Sequence, residues 1–158
     1  MDLYDFYKTI VTGVAQDTDL AAWAVAQFGT SVTVFAGMPS DDFPDMDDDV
    51  PFVLFGEPTR NCSQNRRTIN YACGAWMGLS VSGLKTGNPD NLTEPIGVER
   101  ILDGLRLVRL AVVASLPDGV TLDDFEENAD VNAAGSEVHG DMGFSFSQPL
   151  TIGMNPME

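Results

Sequence analysis

Positive charge is what this chain has least of. Eight Lys and Arg stand against 24 Asp and Glu, a formal charge of −16. No Lys or Arg follows Arg109, whereas nine acids run from Asp118 to Glu158. A field of that sign repels nucleic-acid phosphates and anionic membrane surfaces, which excludes binding to either by charge. Histidine occurs once (His139) and cysteine twice (Cys62 and Cys73), with no C-x-x-C spacing. Those three residues cannot make a usual structural zinc site, and two unspaced cysteines read as reduced thiols of a cytosolic chain. No apolar run approaches the ~18 residues of a membrane span. The first residues, Met1-Asp2-Leu3-Tyr4-Asp5, are acidic where a secretion signal is basic. The spacing Gly74-x-x-x-Gly78 lacks the Lys-Ser/Thr of a phosphate-binding loop.

What the chain does have is a core. At 158 residues, 44% apolar with 9 Phe, it reads as a single domain over 1–158. Its sharpest local feature is an acidic cluster, Asp41, Asp42, Asp45, Asp47, Asp48 and Asp49, followed at once by the apolar run Val50-Pro51-Phe52-Val53-Leu54-Phe55-Gly56. Crowded carboxylates repel, so the cluster must be solvated or set against a basic partner, while the run after it must be buried. Asp45, Asp47 and Asp49 have the 1-3-5 spacing of a calcium loop, but the twelfth position is Gly56, not Glu, so an EF-hand is rejected. The main concentration of cations is Arg60, Arg66 and Arg67. Arginine pairs carboxylates bidentately, so this patch on one copy can meet the acidic cluster of the next.

Periodicity orders the elements. Leu3, Phe6, Tyr7, Ile10 and Val14 recur at helical spacing behind Asp2, a good N-cap, and Leu20, Trp23, Ala24 and Phe28 do so behind Asp17. Helices are expected over 3–15 and 19–28, or as one element kinked near Gly13, with Gly29 closing the second. Strands are expected over 31–36 and 50–56. Residues 57–65 read as a loop. From Arg67 to Val81 the apolar residues Ile69, Tyr71, Cys73, Ala75, Met77, Leu79 and Val81 share one parity, a long strand. Gly74 and Gly78 on the other parity mark a bulge or a closely approaching neighbour. Residues 82–95 read as loop, and 96–116 as a helix with Val98, Ile101, Leu102, Leu105, Val108 and Val112 on its apolar stripe, although 110–116 also fits a strand. Two final strands are expected at 120–131 and 137–152. The whole is α+β, a mostly antiparallel sheet with helices packed on one face.

Catalytic chemistry finds little support. His139 has no recognisable nucleophile motif, and the carboxylates Glu99, Asp103, Asp123, Asp124, Glu126 and Glu127 read as solvated. No catalytic, cofactor-binding or metal-ligating residue is assigned, and an enzyme is not expected.

In order of elements the chain resembles the tail terminator (tail completion) proteins of long-tailed bacteriophages. The resemblance rests on the N-terminal helix with Leu3, Phe6 and Ile10, the early strand Val32-Thr33-Val34-Phe35, and the acidic stretch ending in Asp49-Val50-Pro51-Phe52-Val53. The long strand 67–81, the helix around 98–108 and the final pair containing Gly143-Phe144-Ser145-Phe146 complete it. It implies a homo-oligomeric ring, usually a hexamer, that caps the tail tube and joins it to head-neck connector proteins. DNA would pass through without specific binding, and the protein would be assembled in the host cytoplasm and end in the virion. The interface residues expected are Asp41, Asp42, Asp45, Asp47, Asp48, Asp49, Arg60, Arg66 and Arg67. The alternative is a small acidic adaptor or inhibitor that binds a basic protein.

Overall fold

The computed structural model describes residues 1–37, 44–45, 48–63, 67–86, 92–131 and 137–150. Helix α1 (Leu3–Ala15) begins where the Asp2 carboxylate accepts the Asp5 amide at 2.7 Å. Helix α2 (Thr18–Phe28) begins on the same device, Asp17 accepting the Leu20 amide at 2.8 Å, and ends on Gly29 at φ 76°. An oxygen at each N-cap satisfies an amide that the helix leaves unpaired. The break between the helices falls at Gln16–Asp17 rather than at Gly13. Gly13 lies within α1, packed so closely against Ser115 that a side chain there would clash.

Five strands form the main path of the sheet in the order β1 (Thr33–Ala36), β2 (Phe52–Phe55), β4 (Thr68–Ser80), β8 (Glu137–Pro149) and β7 (Thr121–Val131). Strand β3 (Thr59–Cys62) shares the β2 side of β4, further along. The pair β1–β2 is parallel and the other pairs are antiparallel, an α+β mixed sheet. Helix α3 (Ile96–Ala114) is continuous through 110–114, so the strand alternative there is discarded. Two expected loops contain structure. Strand β3 lies within 57–65, and a small ribbon of β5 (Leu84–Thr86) and β6 (Thr93–Pro95) lies within 82–95. Both lack an alternating apolar face, so nothing in their patterning marks them.

The core lies between the helices and one side of the sheet. On β4 the expected parity is buried without exception, Ile69, Tyr71, Cys73, Ala75, Met77 and Leu79. On β8 the same side carries Val138, Gly140, Met142, Phe144 and Phe146, all buried. Against them pack Phe6, Ile10 and Val14 of α1, Leu20 of α2, and Ile101, Leu105, Val108 and Val112 of α3. Phe6 stacks on Tyr71 with centroids 4.2 Å apart and meets Phe146 edge-on at 5.3 Å. Each fully buried side chain of this size stabilises by about 1.5–3 kcal/mol. Leu102 departs from the expected stripe: it is 50% exposed, because Gly104 and Ala111, not Leu102, complete the sheet-facing side of α3. Tyr7 ties α1 to the sheet, its hydroxyl donating to the Phe55 carbonyl at 3.1 Å and accepting the Gly37 amide at 2.8 Å.

The register of β4 with β8 runs unbroken from Thr68↔Pro149 to Ser80↔Glu137, so Gly74 and Gly78 make no bulge. The irregularity of the sheet is in β7, between Leu122 and Asp124.

Candidate functional site

Of the expected interface residues, Asp41, Asp42, Asp47 and Arg66 lie outside the described residues. Asp45, Asp48 and Asp49 form the end of the connection into β2. The Asp45 amide donates to an Asp49 carboxylate oxygen at 2.8 Å, and the Asp49 amide returns a bond to the Asp45 carbonyl at 2.9 Å. The Asp49 carboxylate therefore closes a turn, while Asp45 and Asp48 stay exposed. Arg60 sits on β3, not on a loop, directly across from Tyr71. Burial raises the Tyr71 pKa, and the Arg60 guanidinium, which hydrogen-bonds the phenol, opposes that rise. The same phenol has two acceptors within reach of its one proton, the Gln148 side-chain oxygen at 3.1 Å and the Met1 carbonyl at 3.3 Å, so Arg60 belongs to a cluster that meets the first residue. Arg67 is exposed just before β4, and its carbonyl accepts the Leu150 amide at 2.9 Å.

Among the described residues, the acidic turn and Arg60 lie at different places along β4. The turn enters β2 at Phe52, opposite Gly78, whereas Arg60 stands opposite Tyr71. Seven residues of strand separate those positions along β4, about 23 Å.

The side of the sheet away from the helices divides in two. At β2 it is covered: Phe52 and Leu54 are buried, and Phe35 meets Phe52 edge-on at 6.2 Å. Across β4, β8 and β7 it is bare. There β4 presents Asn70, Ala72, Gly74 and Trp76, β8 presents Ser147, Ser145, Gly143, Asp141 and His139, and β7 presents Asp124, Glu126, Asn128 and Asp130. Trp76 is 41% exposed. Asp123, at the bulge, also turns to this side and accepts the Ser147 hydroxyl at 2.8 Å; Asn128 donates to Asp141 at 3.1 Å. No family model matches this chain, and no curated protein does.

The bare face is acidic and, among the described residues of β4, β8 and β7, contains no Lys or Arg, and its middle is low: Gly74 and Gly143 are direct cross-strand partners. A shallow trough runs there, floored by Ala72, Gly74, Gly143 and Ser145 and walled by Asp124 and Glu126. His139 is exposed on a flat strand, with Gly78 and Asp130 as its cross-strand neighbours. On the helix side of β7, by contrast, charge is paired. Glu127 meets Arg109 at 3.1 Å, and the Arg109 guanidinium lies 4.4 Å from the centre of the Phe125 ring. Among the described residues, no group of three or more His, Cys, Asp or Glu is placed to hold a metal ion, and no helix is long and apolar enough to cross a membrane. Burial pushes the Cys73 thiol up to about 12, while Cys62 is exposed.

Sequence reasoning missed this face. Its signal was present in the glycines of β4 on the parity opposite the core, but the Gly143 that pairs with Gly74 is identified only by the register of β8.

Proposed function

We propose that this protein is a structural component of a bacteriophage virion, a tail terminator whose copies assemble into a ring that caps the tail tube and meets the head-neck connector. The order of elements that carries the family resemblance supports this reading. The observation that carries it furthest is the bare sheet face: a domain that covers one half of this sheet side and leaves the other half open, with Trp76 exposed on it, offers a surface for contact rather than a cleft for chemistry. The separation of the acidic turn from Arg60 and Arg67 along β4 supports a contact made between copies. A charge of −16 per chain suits a ring through which DNA passes without adhering.

A second reading, a small acidic adaptor that binds a basic protein, is favoured by the carboxylates of the open face, which among the described residues of β4, β8 and β7 are accompanied by no Lys or Arg. Electron microscopy of the purified protein, alone and with tail tube, separates the two. Rings whose yield falls when Arg66 and Arg67 are reversed to Glu, with monomer folding intact, are the expected result. A chain that stays monomeric but is captured by a cationic protein in a salt-sensitive way overturns the terminator reading.

A further inference from the structure

We infer that the bare face of β4, β8 and β7 is a docking surface for the outer side of α3 of a second copy, so that copies join head to tail. This deepens the ring reading and rests on it.

The first observation concerns glycines. Gly97, Gly104 and Gly140 each have an internal reason to be glycine: a Cβ at 104 would come within 2.6 Å of the Met77 sulfur, and one at 140 within 2.8 Å of Leu105, while one at 97 would press on Val138. Gly143 has none. A Cβ there meets nothing within 4 Å, and its backbone does not need the left-handed region. At Gly74 the nearest atom to a Cβ is the Met142 carbonyl oxygen at 3.5 Å, an ordinary contact. Glycine is a costly choice inside a strand, and an unexplained one marks a place where another backbone approaches closely. Two such glycines are paired across adjacent strands on the open face.

The second observation is complementarity. The outer side of α3 carries Leu102, Arg106, Leu110 and Val113, with Leu102 and Leu110 each 50% exposed and Val113 43%. Glu99 and Asp103 flank Leu102 at the start of this side, and Arg109 is turned to Glu127, but from Arg106 to Val113 the outer side has one cation and no acid. That stretch is an apolar ridge with a single arginine, and the open sheet face offers carboxylates around a low floor beside Trp76. The dimensions agree. Trp76 and the β7 carboxylates are two strand spacings apart, about 10 Å, the diameter of a helix. Leu102 to Leu110 spans about 12 Å of helix, with Arg106 midway. In the docked pair the ridge lies over Gly74 and Gly143, its leucines reach Ala72 and Trp76, and Arg106 reaches Asp124 or Glu126. The ridge and the face lie on opposite sides of the domain, because Ile101, Leu105, Val108 and Val112 point α3 at the sheet. Each copy can therefore hold one neighbour on either side, a heterologous contact that gives a ring where the rotation between copies closes and a filament where it does not.

Sedimentation velocity at rising protein concentration and ~0.15 M salt, where the long-range repulsion is screened, tests this with two variants. Gly143→Val fills the floor without touching the core, and Leu110→Asp spoils the ridge. We expect wild type to assemble and each variant alone to remain monomeric with native circular dichroism. A mixture of the two should give a one-to-one dimer and nothing larger, because the intact face of Leu110→Asp can hold the intact ridge of Gly143→Val. Wild-type assembly unaffected by Gly143→Val overturns the docking surface and leaves the ring reading standing. Loss with Gly143→Val but not with Leu110→Asp overturns α3 as the occupant. A wild type that stays monomeric at every concentration contradicts both the inference and the ring reading.

Discussion

Strands β4 and β8 carry two chemistries on their two sides. Toward the helices, residues 69 to 79 of one parity and 138 to 146 of the other strand are buried, aromatic or aliphatic, and so tightly packed that Gly140 cannot take a side chain without meeting Leu105 and Ile101. Away from the helices, the same strands carry Gly143 in open space, Gly74 beside it, Trp76 41% exposed, and a border of carboxylates. The first side is specified by the fold of one chain. The second faces outward and is polar, with side-chain bonds at its border, Asn128 to Asp141 and Ser147 to Asp123. A glycine on each side of one strand, three residues apart, gives the contrast a direct handle.

The largest effect expected is from Gly140→Val. Its branched side chain must enter space held by Leu105, 2.8 Å from the new Cβ, and Ile101, 3.0 Å from it. Overpacking of that kind costs roughly 1–3 kcal/mol, read as a lower urea midpoint with an unchanged slope. Gly143→Val should move the other way, stabilising the monomer by up to about 0.5–1 kcal/mol, because it removes chain entropy from the unfolded state and adds a β-branched residue at no steric cost. Similar losses at both positions would show that the two sides are equally committed to the fold.

A smaller effect separates the sides by pH. Burial raises the Cys73 thiol from 9.0 to about 12. Between those values the unfolded chain has lost the proton that the folded chain keeps, so stability falls as pH rises from 9 towards 12. Tyr7 and Tyr71, also raised by burial, add to the fall above their ordinary value of 10.0. Cys73→Ala should remove the part of the decline that begins near pH 9, measured by urea titration across that range. A decline identical in the variant would show that Cys73 ionises as freely folded as unfolded.

Much of this was readable from residues. Asp2 and Asp17 announced the helix starts, Gly29 the end of α2, and the single parity from Ile69 to Leu79 announced β4 and its buried side. These signals are local, set by caps and period. Strand β3 was not readable, since Thr59-Arg60-Asn61-Cys62 is polar throughout and pairs only because β4 is long enough to hold a second partner beyond β2. Leu102 misled because a helical stripe drawn by hydrophobicity does not know that Gly104 and Ala111 bring α3 close to the sheet. The open face needed register: Gly74 was visible as an oddity, but its pairing with Gly143 and the arrival of Asp124 and Glu126 beside them depend on strands far apart in sequence. The expected interface was drawn from charge density alone, which located the acidic turn and arginines without showing that Arg60 is spent on Tyr71.

The most direct test of the open face as the meeting surface is oxidative footprinting of the two tryptophans, in dilute protein and in the assembled state. Trp23 is packed against Phe28 on the helix side, with centroids 5.5 Å apart, and serves as the internal reference. Trp76 should be the more reactive in dilute protein and become protected on assembly, while Trp23 stays unchanged. Trp76 oxidised as fast in the assembly as in the monomer would contradict the account.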